Sequence, residues 1–191
     1  MSFLNSIINL FGTKSSRDFK KLSPFAEKIN NKFKLLENIS NDQLREKTNS
    51  FKKLISDSIQ IENKDLDSLY KKINSKEFLL NPNNQIYDEI DNLHNIIFRK
   101  TEDVLNNIKE DAFAVIKETA RRFLLNQSIE VKATVFDKEL SEKRKYISIS
   151  DDNSIWNTTW ESGGVSKKWD MLHYDVQLMG GIVLHEGKIA E

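Results

Sequence analysis

The chain has 191 residues, 29 Lys and Arg against 29 Asp and Glu, and a hydrophobic share of 38%. That length suits one domain, or one domain with an extension. Zero net charge argues against a dedicated nucleic-acid binder, and the absence of Cys excludes disulfides, thiolate nucleophiles and Cys-ligated zinc.

Residues 1–12 predict a short amphipathic helix. Phe3, Leu4, Ile7, Ile8 and Phe11 share one face, and Gly12 is placed to end it. Lys14, Arg17, Lys20 and Lys21 follow against a single Asp18. Two readings are open: a helix that packs on its own protein, or one that rests on an anionic membrane surface. A second helix is predicted from about Arg17 to Glu37, with Phe19, Leu22, Phe25, Ile29, Phe33 and Leu36 spaced by three or four.

Ser40 and Gln43 spell a capping box for a third helix, whose apolar face carries Leu44, Thr48, Phe51, Leu54 and Ile55. The polar stretch 59–110 predicts one helix around Leu66–Ile73, a turn at 80–84 and another helix from Ile86 to about Phe98. Nothing there has catalytic spacing, and a solvated helical insertion is expected. The strongest helix signal runs from Asp111 to Leu125, with Phe113, Ile116, Ala120, Phe123 and Leu124 as its apolar face.

The pattern then changes period. Residues 129–135 and 145–150 alternate as half-buried strands do, and 151–153 reads as a turn. Residues 127–170 therefore predict a small β-rich insert. Trp156, Trp160 and Trp169 surround Ser162-Gly163-Gly164. They form either packing for this unit, the commoner use, or a ligand platform. Asp175 is placed to cap a last helix carrying Val176, Met179, Val183 and Leu184, ended by Gly187. Gly180 and Gly181 inside it each cost about 1 kcal/mol relative to Ala, which points to close backbone approach.

The residues by themselves thus predict a mainly α chain with a small β-rich insert. No Gly-x-x-x-x-Gly-Lys-Ser/Thr, Gly-x-Gly-x-x-Gly or Gly-x-Ser-x-Gly motif is present, and His185-Glu186 lacks a second His. The three His, at 94, 173 and 185, are too scattered for a metal site. No apolar run reaches the roughly 18 residues of a membrane span, and no signal-peptide pattern opens the chain. A cytoplasmic location is expected.

The segment from His173 to His185, reading His-Tyr-Asp-Val-Gln-Leu-Met-Gly-Gly-Ile-Val-Leu-His, resembles the one preceding the Walker A loop of the SecA family of preprotein translocase ATPases. Three further stretches agree in order: Leu10-Phe11-Gly12 with Ser16-Arg17-Asp18, Ile39 to Thr48 reaching Phe51, and Asp111 to Arg122 with its Ala-Phe-Ala core. The likeness covers about half the residues. The long stretches near 56–110 and 123–170 depart from most members and resemble insertions of Bacteroidetes members.

The resemblance implies the start of an α/β, P-loop, RecA-like motor domain of helicase type. It divides the chain into N-terminal helices (1–58), an insertion (59–110), a helix leading into the motor (111–126), the β-rich insertion (127–170) and a Q-motif segment (171–191). Gln177 then reads adenine: its carbonyl accepts from the exocyclic amine while its amide donates to a ring nitrogen. Met171 and Tyr174 match positions that pack beside the base.

The phosphate-binding Lys, the Mg2+ ligands and the catalytic Glu would lie beyond Glu191, so an incomplete motor domain is expected, with no catalytic residue and no metal ligand in this chain. The implied cofactor is ATP with Mg2+. The implied partners are the SecYEG channel, unfolded preproteins, acidic phospholipids and a second copy in a homodimer, with no nucleic acid. The implied location is the cytoplasm and, peripherally, the cytoplasmic face of the inner membrane. Phe3, Leu4, Ile7, Ile8 and Phe11 would enter that interface, with Lys14, Arg17, Lys20 and Lys21 on headgroups at about 1 kcal/mol per basic residue. The competing reading is a non-enzymatic helical interaction module with a SecA-like terminus.

Overall fold

The computed structural model describes residues 14–190. The helix predicted over 1–12, with Phe3, Leu4, Ile7, Ile8 and Phe11, lies outside the described residues, as does the side chain of Lys14. Two compact units divide the chain: residues up to Arg45 together with Glu110 onward, and Glu46–Lys109.

The first unit opens with α1 (Lys14–Leu35). Ala26 and Ile29 are fully buried on it, whereas Phe19, counted above on the apolar stripe, is exposed. Helix α2 (Asn41–Ser58) starts at the capping box its sequence spells. The Gln43 amide donates to Ser40 Oγ at 3.1 Å, and the Ser40 amide donates to Gln43 Oε1 at 2.8 Å. Two otherwise orphaned donors are thereby satisfied within one turn. Leu44 is buried on α2, while Leu54 is exposed.

The second unit holds most of α2, with α3 (Gln60–Ile73), α4 (Lys76–Leu80) and the first part of α5 (Gln85–Leu125). Leu66, Phe78, Ile86 and Ile90 form its core. Ser75 Oγ caps α4 by accepting from the Phe78 amide, and the Phe78 and Tyr87 rings meet edge to face. Lys100 donates to and pairs with Glu62, holding that half-buried carboxylate below its ordinary range.

The sequence pattern predicts two separate helices between Ile86 and Leu125, whereas α5 is continuous over 41 residues. No Gly or Pro lies between Asn83 and Leu125. Polarity alone does not end a helix; missing amides, ring clashes and flexible backbones do.

Within the first unit, the predicted apolar face of α5 is corrected by its burial. Ile116 is 54% exposed, and Glu118 is fully buried beside Ala114 and Val115. The buried charge is tolerated because it is paired. Arg121 Nε and Nη2 donate to Glu118 at 2.7 and 2.8 Å, and Arg122 Nε donates at 2.7 Å. Arg122 continues outward to Asn41 Oδ1 and to the carbonyls of Leu36 and Ile39. One guanidinium thus ties the end of α1 and the start of α2 to α5.

After α5 come β1 (Ser128–Lys132), α6 (Val135–Ser141), β2 (Ile147–Ser150), β3 (Asn153–Asn157), β4 (Thr159–Ser162) and β5 (Val165–Lys168). The first three strands form an antiparallel sheet in the order β1-β3-β2, and β4-β5 is a separate hairpin. Strand β1 ends before Val135, earlier than its alternation suggests. Thr134 instead caps α6: its Oγ1 accepts from the Asp137 amide, and Asp137 Oδ2 accepts from the Thr134 amide. Gly163 and Gly164, at φ of 59° and 77°, make the two-residue turn of the hairpin, which requires positive φ at both positions.

The three Trp rings do not come together as one platform. The indole of Trp156 donates to Ser154, and Trp169 meets Phe123 of α5 edge-on with ring centroids 6.3 Å apart. Packing is the use the structure makes of Trp169.

The chain closes with α7 (Asp175–His185), which lies against α1. Its end is a Schellman motif: Gly187 at φ 69° bonds to the Leu184 carbonyl and Lys188 to the Val183 carbonyl. The two interior glycines differ. A Cβ on Gly181 would stand 2.6 Å from Phe113 Cε1, whereas one on Gly180 would meet only Ala190 at 4.0 Å. Close approach therefore explains Gly181 but not Gly180. Gly181→Ala is expected to destabilise the chain by about 1–3 kcal/mol through overpacking. Gly180→Ala is expected to stabilise it by up to about 1 kcal/mol. Opposite shifts in thermal midpoint, read by circular dichroism, check the pair.

Candidate functional site

The segment entering α7 turns away from Trp169, whose indole donates to the Met171 carbonyl at 2.7 Å. It then walls an open cavity of about 780 Å3. Met171, His173 and Tyr174 line it, with Leu124 and Lys117 from α5. The volume lies in the range of small-molecule sites.

Four interactions hold this wall in place. Asn30 of α1 donates to Asp175 Oδ1 at 2.9 Å, and Lys117 Nζ donates to Asn30 Oδ1 at 2.7 Å. Lys117 also stands 3.8 Å from Asp175 and 5.4 Å above the Phe33 ring. Asp175, expected as the cap of α7, is its first helical residue instead, and Tyr174 takes the N-cap position. As a carboxylate in the first turn, Asp175 still favours the helix dipole.

Gln177 is exposed and does not line the cavity. Its Oε1 accepts from the Tyr174 amide at 2.9 Å. That bond fixes which way the carboxamide faces and leaves the second oxygen lone pair and both Nε2 protons for a ligand. Tyr174 is 74% exposed, so its ring face is open, and Met171 is exposed beside it. The structure therefore brings Met171 and Tyr174 to one cavity wall and ties Gln177 to the same wall through the backbone.

The residues fit a flat heteroaromatic base. Tyr174 offers a ring face, Met171 and Leu124 apolar surface, and His173 a buried Nδ1 with no hydrogen-bond partner among the described residues. They do not fit a triphosphate. Asp170 and Asp175 face the cavity, and the Lys117 ammonium is committed to Asn30 and Asp175. No local pattern in the sequence marks Lys117 as a residue of this wall. The contact that gives Lys117 its place spans 87 positions, so no local spacing signals it.

Of the predicted basic contacts, Arg17, Lys20 and Lys21 are exposed on α1. Among the described residues no helix is long and apolar enough to cross a membrane, and no group of three or more His, Asp or Glu could hold a metal.

Comparison with known proteins agrees with the resemblance drawn from the motifs. The SecA DEAD-like domain model matches residues 7–191. The chain is 42% identical to protein translocase subunit SecA of Christiangramia forsetii and 43% identical to that of Phocaeicola vulgatus, with all of this chain covered. A further match, at 41% identity, is protein translocase subunit SecA of Porphyromonas gingivalis. The chain spans 17% of the length of each of these relatives. No solved structure matches. With helices predominating, two small antiparallel sheets and a family model covering nearly its whole length, the chain belongs to the SecA DEAD-like domain family.

Proposed function

We propose that this chain supplies the adenine-recognising wall of an ATPase motor that drives preproteins through the SecYEG channel. The carrying observation is the Gln177 carboxamide, whose oxygen accepts from the backbone amide of Tyr174, a residue with an exposed ring on the same cavity wall as Met171. In this reading residues 171–191 enter the nucleotide-binding domain, and 59–110 and 127–170 are insertions. Bound ATP with Mg2+ supplies the phosphoryl-transfer chemistry. The residues here bind and orient the base, while the phosphates are held by groups outside this chain.

The Gln177 carbonyl accepts from the exocyclic amine, and its Nε2 donates to a ring nitrogen. Guanine presents a carbonyl where adenine presents that amine, so the same carboxamide discriminates against it. The exposed Arg17, Lys20 and Lys21 on α1 support docking on acidic phospholipids at the cytoplasmic face of the inner membrane. Homodimer contacts belong to the same reading.

In the ATPase that carries this chain, Gln177→Ala is expected to raise KM for ATP roughly tenfold or more while changing KM for GTP little. An unchanged ratio of the two KM values overturns the assignment.

A further inference from the structure

The β-rich part of the chain segregates its charges. Residues 126–170 hold seven Lys or Arg and eight Asp or Glu. Yet the groove of about 1130 Å3 beside the β4–β5 hairpin is lined by Lys143, Arg144, Lys145 and Lys168, with Glu161 as its one carboxylate. All four cations are exposed, and none is ion-paired among the described residues.

The hairpin supplies one wall. Thr159 lies opposite Lys168 and Glu161 opposite Ser166, so the two-residue period puts all four on one face. The loop before β2 supplies the other wall through three consecutive cations and Tyr146. Strands β4 and β5 each pair on one side only, leaving main-chain donors and acceptors along both hairpin edges.

The groove is larger than a usual small-molecule pocket. Its cations sit at separated positions along the walls rather than at one point, which suits an extended anionic chain. A peptide carries an amide donor and a carbonyl acceptor at every residue and so matches a free strand edge. A nucleic-acid backbone has no such donors and would leave the hairpin edge unpaired. We propose that this groove binds an acidic polypeptide segment in extended conformation.

The test is fluorescence anisotropy with the whole 191-residue chain. Three labelled probes of ten units are titrated: a Glu/Ser peptide, its Gln/Ser counterpart and oligo-dT. The acidic peptide is expected to bind, more weakly as salt rises, and the Gln/Ser peptide not to bind. The triple variant Lys143→Gln, Arg144→Gln, Lys145→Gln is expected to lose roughly tenfold in affinity, and Lys168→Gln roughly threefold. A control that removes three exposed cations elsewhere, Lys47→Gln, Lys52→Gln, Lys53→Gln, is expected to bind as the parent does. Circular dichroism establishes that each variant keeps its fold. No binding of the acidic peptide, equal loss in the control, or oligo-dT binding as tightly as the acidic peptide overturns the proposal.

Discussion

Replacing Arg122 with methionine is expected to destabilise the chain by about 3–5 kcal/mol. The guanidinium is buried and donates to Glu118, Asn41 and the carbonyls of Leu36 and Ile39. Methionine fills much of the volume but returns none of those bonds. Glu118, with no exposed surface, would keep only Arg121. Burial pushes the Glu118 carboxyl up, but the hydrogen bonds from Arg121 and Arg122 outweigh it and hold the carboxyl below its ordinary value. With one donor set gone, burial gains the upper hand. The double variant Arg122→Met, Glu118→Met should recover part of the loss, because the fully buried carboxylate goes with its partner while the half-buried Arg121 keeps Glu37 at 3.7 Å. Urea midpoints of the two variants decide the matter. A single variant within about 1 kcal/mol of the parent would show that the network holds nothing together.

Acid is expected to weaken the chain between about pH 5 and pH 2, largely through Asp137. This carboxylate has no exposed surface and receives Arg45 Nη2 at 2.6 Å, with Thr134 donating through its amide and hydroxyl. Burial raises its pKa, but these donors prevail and bring it from 3.8 to about 2. The folded value lies below the unfolded one. The stabilisation is therefore complete above the unfolded pKa and disappears as pH falls through the folded pKa. The difference amounts to about 2 kcal/mol. Glu118 shifts in the same direction and adds to the acid loss. Stability measured by urea unfolding from pH 7 to pH 3 should fall for the parent. For Asp137→Asn it should start lower and fall less steeply. Parallel curves would remove Asp137 from the account.

Short-range features were legible because both partners lie within one turn. Ser40 and Gln43 cap α2, and Gly187 ends α7, as their spacing requires. The family likeness was legible in the same way, as contiguous motifs running from Ile39 to Thr48, Asp111 to Arg122 and His173 to His185. The alternation over 129–135 reads as a strand running through Val135. The structure gives Val135 to α6 because a capping box satisfies two donors that a frayed strand end would leave open.

The candidate site divides along the same line. Met171, Tyr174 and Gln177 stand within seven residues and could be picked out as a segment. Lys117 could not, since its place depends on Asn30 and Asp175 from two other helices. Nor could the sequence separate Gly181, which Phe113 crowds, from Gly180, which almost nothing does. Periodicity likewise assigned Ile116 to the core and left Glu118 outside it, and burial reverses both. The cap at Ser40 and Gln43, the stop at Gly187 and the contiguous motif over 171–177 are local, so the amino-acid order by itself determined them. Which charges are buried, and what holds the wall around Tyr174, depends on side chains up to 145 positions apart. Only tertiary packing brings those together, because a buried charge is tolerated only where a distant partner arrives to neutralise it.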